Sequence, residues 1–446
     1  MNKIIIKIYS ILPTILQQLW KRVEASDIGS RIVSGAFWSL IGSVFTQVLM
    51  LGSSIFVARI LGKSEFGELG IIRSTVNMFG VFAGFGLGLT ATKYIAELKI
   101  KDKNRTGEII GLTTLFAVAT GLVIAAIILI FAPFLAKNTL NAPHLVNEIR
   151  LSAIILFFSA INGSLTGALA GFESFKTIAR VNLVSGILAF PIQIGFTLIF
   201  GLHGSVVGFG LSIFVLTILN YLAVRNESYK FDIIIQFKKS LNEWPILYKF
   251  SLPALFSGLM VSPVIWACNA MLVNQPKGFE EMAMFSVANQ WRSAILMVPA
   301  ILAQIVLPLL SSSTNQGQFM RILKLNIKIN FIVALLMATT ISILSNSIMK
   351  IYGKDFGQGN IILIILAFST ILISINGVIG QAIAGKGRMW IGFFFNAIWG
   401  VVLLSSTFIL LELGYGAEGL AYSYLISYTI LTAVQTVFTV FYLKKI

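Results

Sequence analysis

Two arginines carry the most specific chemical signal in this sequence. Arg292 lies about eight residues, roughly 12 Å, inside an apolar run that begins near residue 284. Arg73 lies near one end of another such run. A guanidinium keeps its charge and costs at least about 2.5 kcal/mol at membrane depth, so it has to face water, a partner or a ligand. No Asp or Glu occurs near the middle of any apolar run, which makes an anion the natural ligand. The planar fork of paired N–H donors suits phosphate in particular. Other chemistries are excluded by the same inventory. Cys268 is the sole cysteine, so there is no disulfide framework, thiolate cage or CxxC motif. His144 and His203 form no HExxH or comparable cluster, and neither a metal nor a cofactor is expected.

These side chains must be positioned by helices. Of 446 residues, 57% are hydrophobic and 11% charged, whereas a soluble domain has about a quarter charged. Apolar runs broken by charge, Gly, Pro and Asn place spans near 34–58, 71–92, 109–135, 151–171, 178–200 and 204–224, then 246–272, 284–310, 328–349, 360–384, 389–411 and 416–442. Such runs are too long for core strands, and lipid cannot satisfy an open sheet edge. The expected fold is therefore an all-α polytopic membrane protein with about 12 transmembrane helices. About three-quarters of the Lys and Arg residues fall in alternate loops and at the two ends, which places both termini in the cytoplasm. That bias accounts for the net charge of +16 without nucleic acid. Residues 1–32 lack a small-residue cleavage site, and Ile4, Ile8, Ile11, Leu12, Ile15, Leu16 and Leu19 share one helical face. An interfacial amphipathic helix on the cytoplasmic leaflet is expected there.

The spans repeat. Ile161-Asn162-Gly163, Ala168 and Ala170-Gly171 recur as Ile375-Asn376-Gly377, Ala382 and Ala384-Gly385, Asn182 recurs as Asn396, and Gly201 and Gly204 recur as Gly416 and Gly419. The offset is about 215 residues throughout. It divides the chain into a six-helix half at 33–224, a cytoplasmic linker at 225–249 and a second six-helix half at 250–446. An even number of spans per half makes the repeats parallel, related by an axis along the membrane normal, with a site between them in a central cavity. On this repeat Arg73 falls three residues short of Arg292, on the same helical face, so both guanidinium groups are expected to face one central space. Gly80, Gly84, Gly86 and Gly88 predict a break in the second span, and Pro253, Pro263, Pro299 and Pro308 predict breaks in the seventh and eighth. The repeated Gly and Ala positions also suit close helix packing with no other role.

Gly35-Ala36-Phe37-Trp38, followed by Ala58-Arg59-Ile60-Leu61-Gly62-Lys63-Ser64-Glu65-Phe66-Gly67, resembles the opening signature of bacterial polysaccharide flippases. These are the Wzx-type members of the multidrug/oligosaccharidyl-lipid/polysaccharide transporter superfamily. The resemblance covers nearly the whole chain. It implies a transporter rather than an enzyme, one that moves polyprenyl-diphosphate-linked oligosaccharide, of O-antigen or a related polysaccharide, from the cytoplasmic to the periplasmic leaflet of the bacterial inner membrane by alternating access. Arg292 and Arg73 would hold the diphosphate, and Asn162, Asn376, Gln290 and Trp291 would contact sugars. Arg59, Lys93, Lys176 and Arg180 would recruit the headgroup, although interfacial snorkelling and topology explain such cations equally well. Membrane lipid, a polysaccharide polymerase and chain-length proteins are candidate partners, and protons and sodium are both candidate coupling ions. The chain departs from the drug-exporting branch in lacking a membrane-buried carboxylate. A multidrug exporter of the same superfamily is the main alternative. A membrane glycosyltransferase or polymerase would need acidic or His groups on a sizeable outer loop, whereas Glu65, Glu68, Glu280 and Asp355 sit in short connections.

Overall fold

The computed structural model describes residues 27–311, 316–385 and 389–441, and every regular element among them is helical. The amphipathic helix expected over residues 1–32 lies largely outside the described residues. In chain order the helices are α1 (Asp27–Gly84), α2 (Leu87–Leu98), α3 (Lys103–Phe134), α4 (Val146–Gly171) and α5 (Phe175–Lys230). A connecting segment then leads to α6 (Leu252–Leu259), α7 (Ser262–Val273), α8 (Gly278–Ser311) and α9 (Gln316–Ile343). The last are the short α10 (Ser345–Tyr352), α11 (Asn360–Gly385), α12 (Met389–Glu412) and α13 (Gly416–Phe441). Seven of the described stretches are long and apolar enough to cross a membrane. Their outward faces carry large apolar side chains such as Leu122, Ile130, Leu198 and Ile199, all exposed. Hydrocarbon replaces water as the solvent of that surface, and the chain is a multi-span membrane protein.

Two of the long helices are not straight rods. The 56 residues of α5 would measure about 84 Å unbroken, far more than a bilayer core of about 30 Å. At Gly201 the backbone enters the left-handed region, with φ 57°, a conformation that a side chain disfavours and glycine accepts. The arms on either side fold back on each other: Thr197 Oγ1 lies 2.7 Å from Ser205 Oγ, and a Cβ at Gly208 would lie 3.2 Å from Gln193 Cα. In α1 the same role falls to Gly62, with φ 73°. The spans expected at 178–200 and 204–224 are thus the two arms of α5.

The predicted interruptions fall partly where expected. The second span breaks at Phe85 and Gly86, both at positive φ, between α1 and α2. The seventh is divided into α6 and α7 with Pro263 in the first turn of α7. The eighth is not interrupted: α8 is helical from Gly278 to Ser311, through Pro299 and Pro308. Because α8 begins earlier than the apolar run, Arg292 sits about 21 Å along it rather than about 12 Å below its end.

Lipid gives helices no hydrophobic reason to associate, so small residues and hydroxyls make the seams. In the α2/α4 seam a Cβ at Gly167 would run into the Gly88 carbonyl oxygen, and Thr92 Oγ1 donates to the Gly167 carbonyl at 3.0 Å. Close packing therefore accounts for Gly167. Its neighbour Gly163 has nothing within 4 Å of the place a Cβ would take. Gly167→Val should destabilise the purified protein by about 1–3 kcal/mol through overpacking, read as a lower melting temperature in detergent, whereas Gly163→Ala should melt like the parent. Equal melting of Gly167→Val and the parent would contradict this seam.

Candidate functional site

Between the first and second halves of the chain lies a cavity of ≈ 530 Å³. One wall is α1, contributing Met50, Phe66, Leu69, Gly70, Arg73, Ser74 and Asn77. The other wall is α7 and α8, contributing Ser262, Ile265 and Asn269 from the first and Met282, Phe285, Ser286, Asn289, Gln290 and Arg292 from the second. The two arginines expected to share one space do line one cavity, and they are its only charged lining residues among those described.

Neither guanidinium is neutralised. Arg292 is 9% exposed, and its Nε and Nη1 are buried without a hydrogen-bond partner. The Arg73 Nε is likewise buried and unpartnered. No ion pair involves either residue among the described residues. Each instead lies over an aromatic ring from another helix: Arg73 is 5.2 Å from the centroid of Phe209 on α5, and Arg292 is 4.4 Å from that of Tyr424 on α13. Cation–π attraction orients such a cation while leaving its N–H edge available. Phe209 and Tyr424 are about 215 residues apart, the spacing expected of an internal repeat. The same arginine-on-aromatic device therefore occurs once in each half.

Beside the cations stand amide and hydroxyl groups. Asn269 Nδ2 donates to Ser74 Oγ at 2.8 Å across the two walls. The oxygens Asn269 Oδ1, Asn289 Oδ1 and Gln290 Oε1 are buried acceptors without a donor. Buried polar atoms are normally satisfied, so these acceptors suit the hydroxyl or amide hydrogens of a ligand, or water.

Other residues expected at the site lie elsewhere. Trp291 donates from Nε1 to the Tyr352 hydroxyl at 3.2 Å and is not on the cavity wall. Asn162 accepts from Asn220 Nδ2 at 2.6 Å within the first half. Asn376 is buried and donates to the Tyr428 carbonyl at 3.5 Å within the second. Gln290 alone of the four stays on the wall, and Asn77, Ser74, Asn269 and Asn289 join it.

The four cations expected to recruit a headgroup do not form one cluster. Lys93 lies over Tyr94 and Phe250, and Lys176 over Trp38. Arg180 is exposed one helical turn beyond Lys176 on α5. Arg59 sits at the other end of the bundle, donating from Nε to the Ile351 carbonyl at 2.7 Å.

That other end is where the two halves are clamped together. A Cβ at Gly67 would collide with the Phe279 carbonyl oxygen, and one at Gly70 with Ser286 Oγ. Lys63 pairs with Glu280 at 3.8 Å, and Asn141 Nδ2 donates to Asn274 Oδ1 at 2.6 Å. These contacts hold the two walls together at the end that carries Arg59. At the lysine-rich end, marked by Lys99, Lys101, Lys103 and Arg105, the two parts of the chain also meet: Thr90 and Ser251 share a 2.7 Å hydrogen bond, Tyr94 packs edge-on against Phe250, and a Cβ at Gly86 would crowd the Ser251 carbonyl.

Comparison with known proteins agrees with this architecture. Residues 32–314 match the family described as polysaccharide biosynthesis protein. The EPS I polysaccharide export inner membrane protein EpsE of Ralstonia nicotianae is 25% identical over 425 residues, covering 89% of each chain. A Shigella flexneri protein named for O-antigen transport is 23% identical over 383 residues, covering 82% of each. Among solved structures, an inward-facing multidrug resistance MATE family transporter of the MOP superfamily superposes with a TM-score of 0.72 at 16% identity, over 91% of this chain and 98% of that one. The fold is shared with that transporter, and the sequence match over more than half of the chain shows that this protein belongs to the polysaccharide biosynthesis protein family.

Proposed function

We propose that the protein is a flippase that carries polyprenyl-diphosphate-linked oligosaccharide, an O-antigen or related repeat unit, across the bacterial inner membrane by alternating access. The observation that carries this reading is the pair of unneutralised guanidinium groups, Arg73 and Arg292, on facing walls of one cavity with no carboxylate among its described lining residues. A diphosphate cannot enter hydrocarbon with its charge unpaired, whereas a polyprenyl tail can remain in lipid. The two arginines replace the water that the diphosphate gives up, and Asn269, Asn289 and Gln290 accept hydrogen bonds from sugar hydroxyls. The names of the relatives from Ralstonia and Shigella agree with a polysaccharide cargo. A cationic wall disfavours the cationic drugs that a multidrug exporter would carry.

In this reading the chain forms twelve transmembrane helices in two parallel six-helix repeats, with both termini in the cytoplasm. Three paired features support the repeat at a spacing of about 215 residues. Arg73 over Phe209 corresponds to Arg292 over Tyr424. Left-handed Gly201 corresponds to left-handed Gly416. Glu65 lies beside Gly201, while Glu281 accepts from the Ala417 amide at 2.9 Å beside Gly416. Transport then requires the Gly67 and Gly70 seam to part.

In cells carrying Arg292→Ala, an outside-acting probe on spheroplasts should find the lipid-linked oligosaccharide retained in the inner leaflet, with the variant inserted at normal levels; normal sidedness would remove the claim. Tyr424→Leu removes the ring beneath Arg292 and should slow transport about threefold to tenfold, the worth of a cation–π contact of about 0.5–1.5 kcal/mol. Tyr424→Phe keeps the ring and should restore the rate, and a rate in Tyr424→Leu equal to the parent's would show that the ring does not position Arg292.

A further inference from the structure

A second cavity, of ≈ 540 Å³, lies at the lysine-rich end on the side of α5, away from the central site. Its helical wall is about the last three turns of α5, where Tyr221, Arg225 and Tyr229 recur every four residues on one face. The opposite wall is the returning segment with Ile233, Ile235 and Phe237. Ser228 also lines it; that residue is 2% exposed, and its hydroxyl has no hydrogen-bond partner. A buried hydroxyl left without a partner beside a cavity is normally satisfied by water or a ligand atom.

The charge balance of this region indicates the sign of that ligand. Between residues 221 and 250 the acidic side chains are Glu227, Asp232 and Glu243. All are already ion-paired, with Lys230 at 2.8 Å, Lys103 at 3.1 Å and Arg105 at 2.6 Å. Arg225, Lys238 and Lys239 have no ion pair among the described residues. The surroundings indicate where the ligand comes from. Tyr229 is 81% exposed and Trp244 58%, and aromatic side chains of this kind sit at the level of lipid headgroups. A soluble anion would meet the cation but leave the apolar walls wet.

We infer that this cavity binds the headgroup phosphate of an anionic phospholipid from the surrounding bilayer, held by the Arg225 guanidinium and the Ser228 hydroxyl, with its glycerol and upper chain against Tyr221, Tyr229 and Phe237. The bound lipid anchors the segment that joins the two halves. The inference stands apart from the transport reading, because it concerns a different cavity and needs only a membrane.

The test is thermal unfolding of the full-length protein in detergent, titrated with mixed micelles of phosphatidylglycerol or phosphatidylcholine. Phosphatidylglycerol should raise the melting temperature saturably, and phosphatidylcholine should not. Arg225→Gln should raise the half-saturating phosphatidylglycerol concentration about tenfold, as expected for one charge-assisted hydrogen bond. Lys137→Gln, at the far end of the bundle, should leave it unchanged. If Arg225→Gln does not fold, Asn226→Asp places a carboxylate beside the phosphate and should weaken the response similarly. Equal responses to the two lipids, or an unchanged phosphatidylglycerol response in the variants, would overturn the inference. So would inorganic phosphate reproducing the full effect, which would mark a soluble-anion site.

Discussion

The structure depends on holding two guanidinium groups inside a membrane without a carboxylate. Arg73 and Arg292 have buried N–H groups with no acceptor, and such groups are costly in a low-dielectric setting unless something polar reaches them. The cavity between the halves supplies that access, and Phe209 and Tyr424 hold the cations against its walls. An acidic partner would stabilise each arginine more strongly but would compete with an anionic ligand for the same donors.

Helix packing follows from keeping that cavity open in the middle and its walls joined at one end. Glycines at Gly67 and Gly70 let α1 and α8 approach until there is no room for a Cβ, and Lys63 with Glu280 and Asn141 with Asn274 fasten the same end. The same seam is also apolar: Phe66 packs edge-on against Phe356 at 6.0 Å between ring centroids, and both belong to a buried cluster that runs across the two walls. The reversals at Gly62 and Gly201 lie close to this end of the helices. Elsewhere the helices are packed by glycine seams such as that of Gly88 and Gly167.

Much of this was legible in the sequence because hydrocarbon imposes simple rules. The apolar runs marked the helices, and the absence of mid-span acids marked the two arginines that line one cavity. The polar wall was harder to read. Trp291 is next to Arg292 in sequence, but at about 100° per residue it projects opposite the face shared by Met282, Ser286 and Asn289, and it bonds Tyr352 instead. Asn289, three residues before Arg292, and Asn77, four after Arg73, carried a spacing signal that identifies them. Asn162 and Asn376 instead tie helices together, α4 to α5 and α11 to α13. Pro299 and Pro308 did not break α8, since freed carbonyls in a helix bundle can be satisfied by neighbours.

The most direct measurement is the affinity of the purified protein for a polyprenyl diphosphate, taken through a double-mutant cycle of Arg73→Gln and Arg292→Gln. Two arginines gripping one diphosphate predict a loss of about tenfold or more in each single variant, and a double variant whose loss departs from the product of the two. Binding that is unchanged in either single variant, or equal for a polyprenol without the diphosphate, would contradict the account.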